Sequence, residues 1–171
     1  MYRHLHLPVS GTLVLVLLAG VAAAPAVATD SSIRTKDTVM TQHARGPFDV
    51  KLAPLEPYNK DADAKLGRMS LDKRFHGDLD ATSQGEMLST GSASGSGGYV
   101  AIERVTGTLH GRTGSFAMQH NATMTRGTPS LNIIVVPDSG TGELTGLSGK
   151  MNIVIAAGGA HSYEFEYTLD R

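Results

Sequence analysis

The sequence predicts an all-β protein: an eight-stranded antiparallel up-and-down barrel preceded by a signal peptide. Three observations carry this. Apolar and polar residues alternate with period two in segment after segment. No stretch after residue 28 shows the 3.6-residue period of an amphipathic helix. The chain also holds 20 glycines in 171 residues, many for a helical protein and suited to turns between short strands.

Residues 1–28 read as an export signal. Arg3, beside His4 and His6, gives a weakly basic start, Leu13 to Ala24 is apolar, and Ala26-Val27-Ala28 is a small-residue cleavage site. The apolar run falls short of the roughly 20 residues of a comfortable span, so no membrane span is expected after cleavage, with Thr29 as the new N-terminus. An uncleaved N-terminal anchor is the competing reading. Thr29 to about Arg45 is polar and aperiodic, a flexible arm, and a single barrel domain is expected over 46–171.

Phe48, Val50 and Leu52 alternate with charged residues as a first strand, and Ala53 to Asp63, with Pro54 and Pro57, is a loop. Met69, Leu71, Lys73, Phe75 and Leu79 share one parity, with an irregularity at Gly77. Glu86 to Thr90 predicts a short strand, followed by the Gly/Ser turn Thr90 to Gly98. Tyr99 to Thr108, Ser115 to Thr125, Leu131 to Val136 and Met151 to Ala157 predict further strands. The last strand is the cleanest: Tyr163, Phe165, Tyr167 and Leu169 interleave with Ser162, Glu164, Glu166, Thr168 and Asp170.

Composition excludes several functions. Fifteen basic and 16 acidic residues leave a formal charge of -1, without the basic footprint of a nucleic-acid binder. Zero cysteines exclude disulfides, thiolate metal sites and a cysteine nucleophile. No metal site is predicted: His76, Asp78 and Asp80 alternate, but with Phe75 and Leu79 on the other face the trio points to water. No cofactor motif is present.

One pattern recurs at an offset of 35 residues: Thr106-Gly107 to Phe116 and Thr141-Gly142 to Met151 both read T-G-x-L-x-G-x-[ST]-G-x-apolar. Two backbone nests for an anion are one reading. Two corners of repeated turn geometry, with glycine supplying positive φ or close backbone approach, is the favoured one.

The stretches Tyr99 to Gly107, Gly114 to His120 and Gly140 to Gly149 together resemble the bacterial family known as domain of unknown function 3224, over roughly Gly46 to Arg171. The resemblance implies an eight-stranded barrel like those of allene oxide cyclase and dirigent-type proteins. It implies no established activity, and no motif carries the cyclase's catalytic groups onto this chain.

The residues themselves single out Glu103 and His120. Glu103 lies on the parity of Tyr99, Ala101 and Val105, and His120 on that of Phe116, Met118 and Ala122. A four-residue loop, His110 to Thr113, pairs Leu109 with Gly114 and sets 103 opposite 120. A buried carboxylate needs a donor, and an imidazole supplies one. Glu103 and His120 are the catalytic candidates, and Tyr99, Glu103, Phe116, Met118 and His120 the ligand-contact candidates.

Three functions fit this reading. The first is an exported barrel binding a small, largely apolar molecule in its lumen. The second is a cofactor-free isomerase or cyclase using Glu103 and His120 as acid and base. The third is a ligand-free structural or interaction module of the cell envelope.

Overall fold

The computed structural model describes residues 40–61 and 65–170. The predicted signal segment and most of the predicted arm lie outside the described residues. Among the described residues nine strands occur in order: β1 Gln42–Leu55, β2 Leu66–Phe75, β3 Leu79–Gly91, β4 Gly97–Leu109, β5 Arg112–Thr125, β6 Thr128–Val135, the two-residue β7 Thr141–Gly142, β8 Leu147–Ile155 and β9 His161–Leu169. None of the described residues is helical, and no helix among them is long and apolar enough to cross a membrane.

Eight of these strands form a closed antiparallel ring, β4-β3-β2-β1-β9-β8-β6-β5 and back to β4, with β7 added on β5. First and last strands pair, Phe48 with His161 and Gln42 with Tyr167, so the up-and-down meander closes and neither is left as a free edge.

Two tight hairpins set the register of the β4–β6 wall. His110 and Gly111 both have positive φ (47° and 78°), as do Arg126 and Gly127 (47° and 86°). Two such residues in succession form the turn whose twist matches that of the flanking strands. The turn after β4 is therefore two residues long, and Leu109 pairs with Arg112 instead of Gly114. The correction moves the register by two residues, so every side chain keeps its predicted face.

Other boundaries also differ from the sequence reading. β1 begins at Gln42, inside the polar stretch read as an arm, because Ala44 is the inward residue and His43 and Arg45 face outward. The short strand at Glu86 is the second half of a continuous β3. His76 and Asp78 sit in the β2–β3 turn, not along a strand. His76 Nε2 lies 3.1 Å from Asp49, Asp78 accepts from the Arg45 amide at 2.9 Å, and Asp80 pairs with Arg74.

The recurring pattern contributes positive φ at equivalent glycines, Gly111 (78°) and Gly146 (81°). Its two copies also meet: Gly114 pairs with Gly142 and Ser115 with Thr141. A Cβ on Gly114 would lie 2.1 Å from the Thr141 carbonyl oxygen, so here glycine permits backbone contact.

The lumen is packed at one end. Phe48, Phe75, Leu79, Leu109, Phe116, Leu144, Leu147, Tyr163, Phe165 and Tyr167 are buried there. Phe116 stacks on Phe165 with centroids 5.9 Å apart, and Phe75 meets Tyr163 edge-on at 5.6 Å. The Tyr163 hydroxyl accepts from the Leu79 amide at 2.8 Å and donates to the His76 carbonyl at 3.0 Å, tying β9 to the β2–β3 turn. Towards the other end burial declines: Met69, Met87, Tyr99, Ala122 and Ile153 are half-buried, and Leu52 and Leu131 are exposed. The barrel is thus closed by aromatic packing at one end and lined by partly exposed apolar side chains at the other.

Candidate functional site

Between these ends lies a layer of buried polar side chains drawn from four consecutive strands. Lys73 comes from β2, Ser83 from β3, Glu103 from β4 and His120 from β5. Each has inward parity, so the strand pleat alone turns it towards the lumen. Lys73 and Ser83 are direct cross-strand partners. Glu103 pairs with Met118 and His120 with Ala101, so Glu103 and His120 are diagonal neighbours, within reach for long side chains.

Glu103 is the hub. Its Oε1 accepts from Lys73 Nζ at 2.7 Å and His120 Nε2 at 2.8 Å, and its Oε2 accepts from Ser83 Oγ at 2.5 Å. The Lys73 and His120 side chains are each 3% exposed and that of Glu103 is 0%, so water does not compete for these bonds. The Lys73 ammonium also lies 5.5 Å from the Phe48 ring centre and 5.6 Å from that of Phe75, against the negative faces of both rings. Burial pushes the Glu103 carboxyl towards its neutral form. The His120 bond and the Lys73 charge outweigh it and hold the group at about 2, well below the usual carboxylate range.

An ionised carboxylate only accepts, so His120 must carry its proton on Nε2. Every buried side-chain nitrogen and oxygen among the described residues has a partner. The hydrogen bond of His120 runs through Nε2, from a side chain that is almost wholly buried.

Tyr99, two residues before Ala101 on β4, is half-buried with its ring 6.5 Å from that of His120. Burial, and next the negative Glu103, push its phenol up, so it stays neutral. Beyond it, Tyr99, Ala122, Met124, Pro129 and Leu131 line an apolar recess of about 340 Å³ at the rim of β4, β5 and β6. A larger groove of about 510 Å³ is bordered by Tyr58, Leu88, Val100, Ile102 and the Arg68–Glu86 pair, and His120 contributes to its lining.

The sequence-derived site is therefore brought together in part. Glu103 and His120 meet, as diagonal instead of direct cross-strand neighbours, and the Tyr99 ring lies 6.5 Å from that of His120. Phe116 and Met118 are fully committed to the core cluster, below the polar layer. Lys73 and Ser83 were missed as members. The signal for Lys73 was its place on the apolar parity between Leu71 and Phe75, a buried cation that required a carboxylate. Ser83 follows Ala81 on the inward parity of β3, and nothing local sets its hydroxyl apart from other serines. Among the described residues no group of histidines and carboxylates could hold a metal ion.

Fold and layer together define a small closed meander barrel with an ion-paired lumen. The chain belongs to the protein family of unknown function DUF3224, whose family model matches residues 44–167. It is also similar to a solved crystal structure, described as a protein with unknown function from the DUF3224 family of Shewanella oneidensis MR-1. The two are 51% identical with a TM-score of 0.72, over 77% of this chain and 100% of that one. A search of curated proteins found no match.

Proposed function

We propose that this protein is exported and binds a small, largely apolar molecule in the open end of the barrel, beside Tyr99 and above the Glu103–His120 pair. The observation that carries the reading is the apolar recess of about 340 Å³ at that end, lined by Tyr99, Ala122, Met124, Pro129 and Leu131. Tyr99 joins this recess to the polar layer, its ring 6.5 Å from that of His120, whose Nε2 is bonded to Glu103. Such a pocket, apolar with few fixed polar groups, is the usual form of a small-molecule site. Phe116 and Met118 support the floor from below and leave contact to Tyr99.

Native mass spectrometry of the protein purified from its own host tests the binding. The expected result is a co-purifying small molecule that is lost in Ala122→Trp, which fills the rim. Absence of any such molecule, together with no saturable uptake of medium-chain apolar probes, overturns the reading. N-terminal sequencing tests export: the exported form is expected to start at Thr29, and an intact Met1 in that fraction refutes it.

One observation favours a ligand-free role: the polar layer satisfies itself, with no buried polar side-chain atom left without a partner among the described residues. An acid–base role for Glu103 and His120 in an isomerase or cyclase draws on the same dyad. It requires a turnover whose pH profile shifts in His120→Gln.

A further inference from the structure

Five inward-facing residues form a row across the open end of the barrel, each the direct cross-strand partner of the next: Gly67 on β2, Ser89 on β3, Tyr99 on β4, Ala122 on β5 and Leu131 on β6. All but Gly67 line the apolar recess. Thr90, Thr123 and Ser130 also border it, but they alternate with the row and have outward parity. Ser89 and Tyr99 are therefore the polar side chains that the pleat turns inwards here. Both are half-buried, and among the described residues neither hydroxyl has a hydrogen-bond partner. The other tyrosines of the lumen differ. The Tyr163 hydroxyl joins the Leu79 amide to the His76 carbonyl, and the Tyr167 hydroxyl joins His110 to Gln42. Their hydroxyls hold elements of the fold together, whereas that of Tyr99 holds none.

The recess has no acidic, basic or histidine side chain in its lining. Lys73 and Glu103 lie buried in the polar layer and are paired with each other. A charged ligand group would thus lose its water without gaining a counter-charge. An uncharged group that accepts a hydrogen bond does gain a partner, because the Tyr99 phenol keeps its proton: burial, and next Glu103, push it up. We infer that the ligand is an uncharged, apolar carbonyl compound, a ketone or an ester, whose oxygen accepts a hydrogen bond from the Tyr99 hydroxyl. The inference rests on the binding reading above and names its ligand class. A carbonyl suits the site better than an alcohol, since it brings no hydrogen of its own that needs an acceptor. Ser89, paired with Tyr99 on one side and Gly67 on the other, offers a second hydroxyl to the same molecule. The contact is noncovalent, with no bond made or broken in the ligand.

Isothermal titration calorimetry at pH 7 with 2-octanone, 1-octanol, octanoate and octylamine compares different polar groups on one chain length. The ketone is expected to bind tightest, at least about tenfold tighter than octanoate or octylamine. Tyr99→Phe keeps the ring and removes only the unpartnered hydroxyl, so it should weaken the ketone about fivefold and leave the urea midpoint unchanged. Infrared spectroscopy of 2-octanone isotopically labelled at its carbonyl carbon reads the bond directly. On the unmutated protein the carbonyl stretch should lie below its frequency in hexane, and in Tyr99→Phe it should return towards that value. If octanol, octanoate or octylamine binds as tightly as the ketone, or the bound carbonyl stretch stays at its hexane value, or Tyr99→Phe leaves the ketone's affinity unchanged, the carbonyl inference fails while the binding reading stands. If none of the four binds, both fail. The carbonyl stretch is measured on the unmutated protein, so the test survives a Tyr99 variant that does not fold.

Discussion

Replacing Glu103 with leucine removes the acceptor on which three buried donors converge: Lys73 Nζ at 2.7 Å, His120 Nε2 at 2.8 Å and Ser83 Oγ at 2.5 Å. The ammonium is then left in the barrel without a counter-charge. Deleting one partner of a buried ion pair costs about 3–5 kcal/mol, and that is the expected loss at pH 7. The titration of Glu103 gives an independent figure. A carboxyl held at about 2 instead of 4.5 carries on the order of 3 kcal/mol of pH-dependent stability. Because its folded value is depressed, this stability is fully present above pH 4.5 and is lost as pH falls towards 2. Urea denaturation between pH 2 and 7 reads both effects as a midpoint shift at constant m. Glu103→Leu should lower the pH 7 midpoint and lack the wild-type decline in acid. Adding Lys73→Met to Glu103→Leu removes the stranded charge, so the double variant should be more stable than Glu103→Leu alone. Additive losses in the two single variants, or a Glu103→Leu loss below about 1 kcal/mol, would refute the reasoning.

Other positions test other parts of the account. At Gly111 nothing lies within 4 Å of an added Cβ, so the strain of Gly111→Val comes from its φ of 78° and should cost about 1–2 kcal/mol or more in urea denaturation, with Gly111→Asn milder. Gly114 carries no such φ, but its Cβ would collide with the Thr141 carbonyl. Gly114→Ala should cost about 1–3 kcal/mol by overpacking, and equal tolerance of alanine at both glycines would count against the two mechanisms. Tyr163→Phe leaves the buried Leu79 amide without its acceptor and should lower stability by about 1–3 kcal/mol. An unchanged denaturation midpoint would show that this tie between β9 and the β2–β3 turn carries no weight.

The strand parities were legible in the sequence because the period-two pattern is local: each residue's face follows from its neighbours in the same strand. That placed Glu103, Val105, Phe116, Met118, His120, Tyr163 and Phe165 inside before any partner was known, and the structure agrees on all seven. It also made the meeting of Glu103 and His120 robust. The error of two in the loop length preserved both faces, turning a direct pair into a diagonal one.

Register, closure and the membership of the polar layer were not local. Whether His110 and Gly111 or a longer segment turns the chain depends on backbone angles that the residue types permit but do not dictate. Polar Gln42 to Arg45 became strand only because β9 supplies hydrogen-bond partners to that edge. Lys73 lies 30 residues from Glu103, and Ser83 lies 20. No periodicity within one strand joins them. Only the curvature that carries four strands round the barrel, and the exclusion of water from its interior, brings an ammonium, a hydroxyl, a carboxylate and an imidazole into one layer.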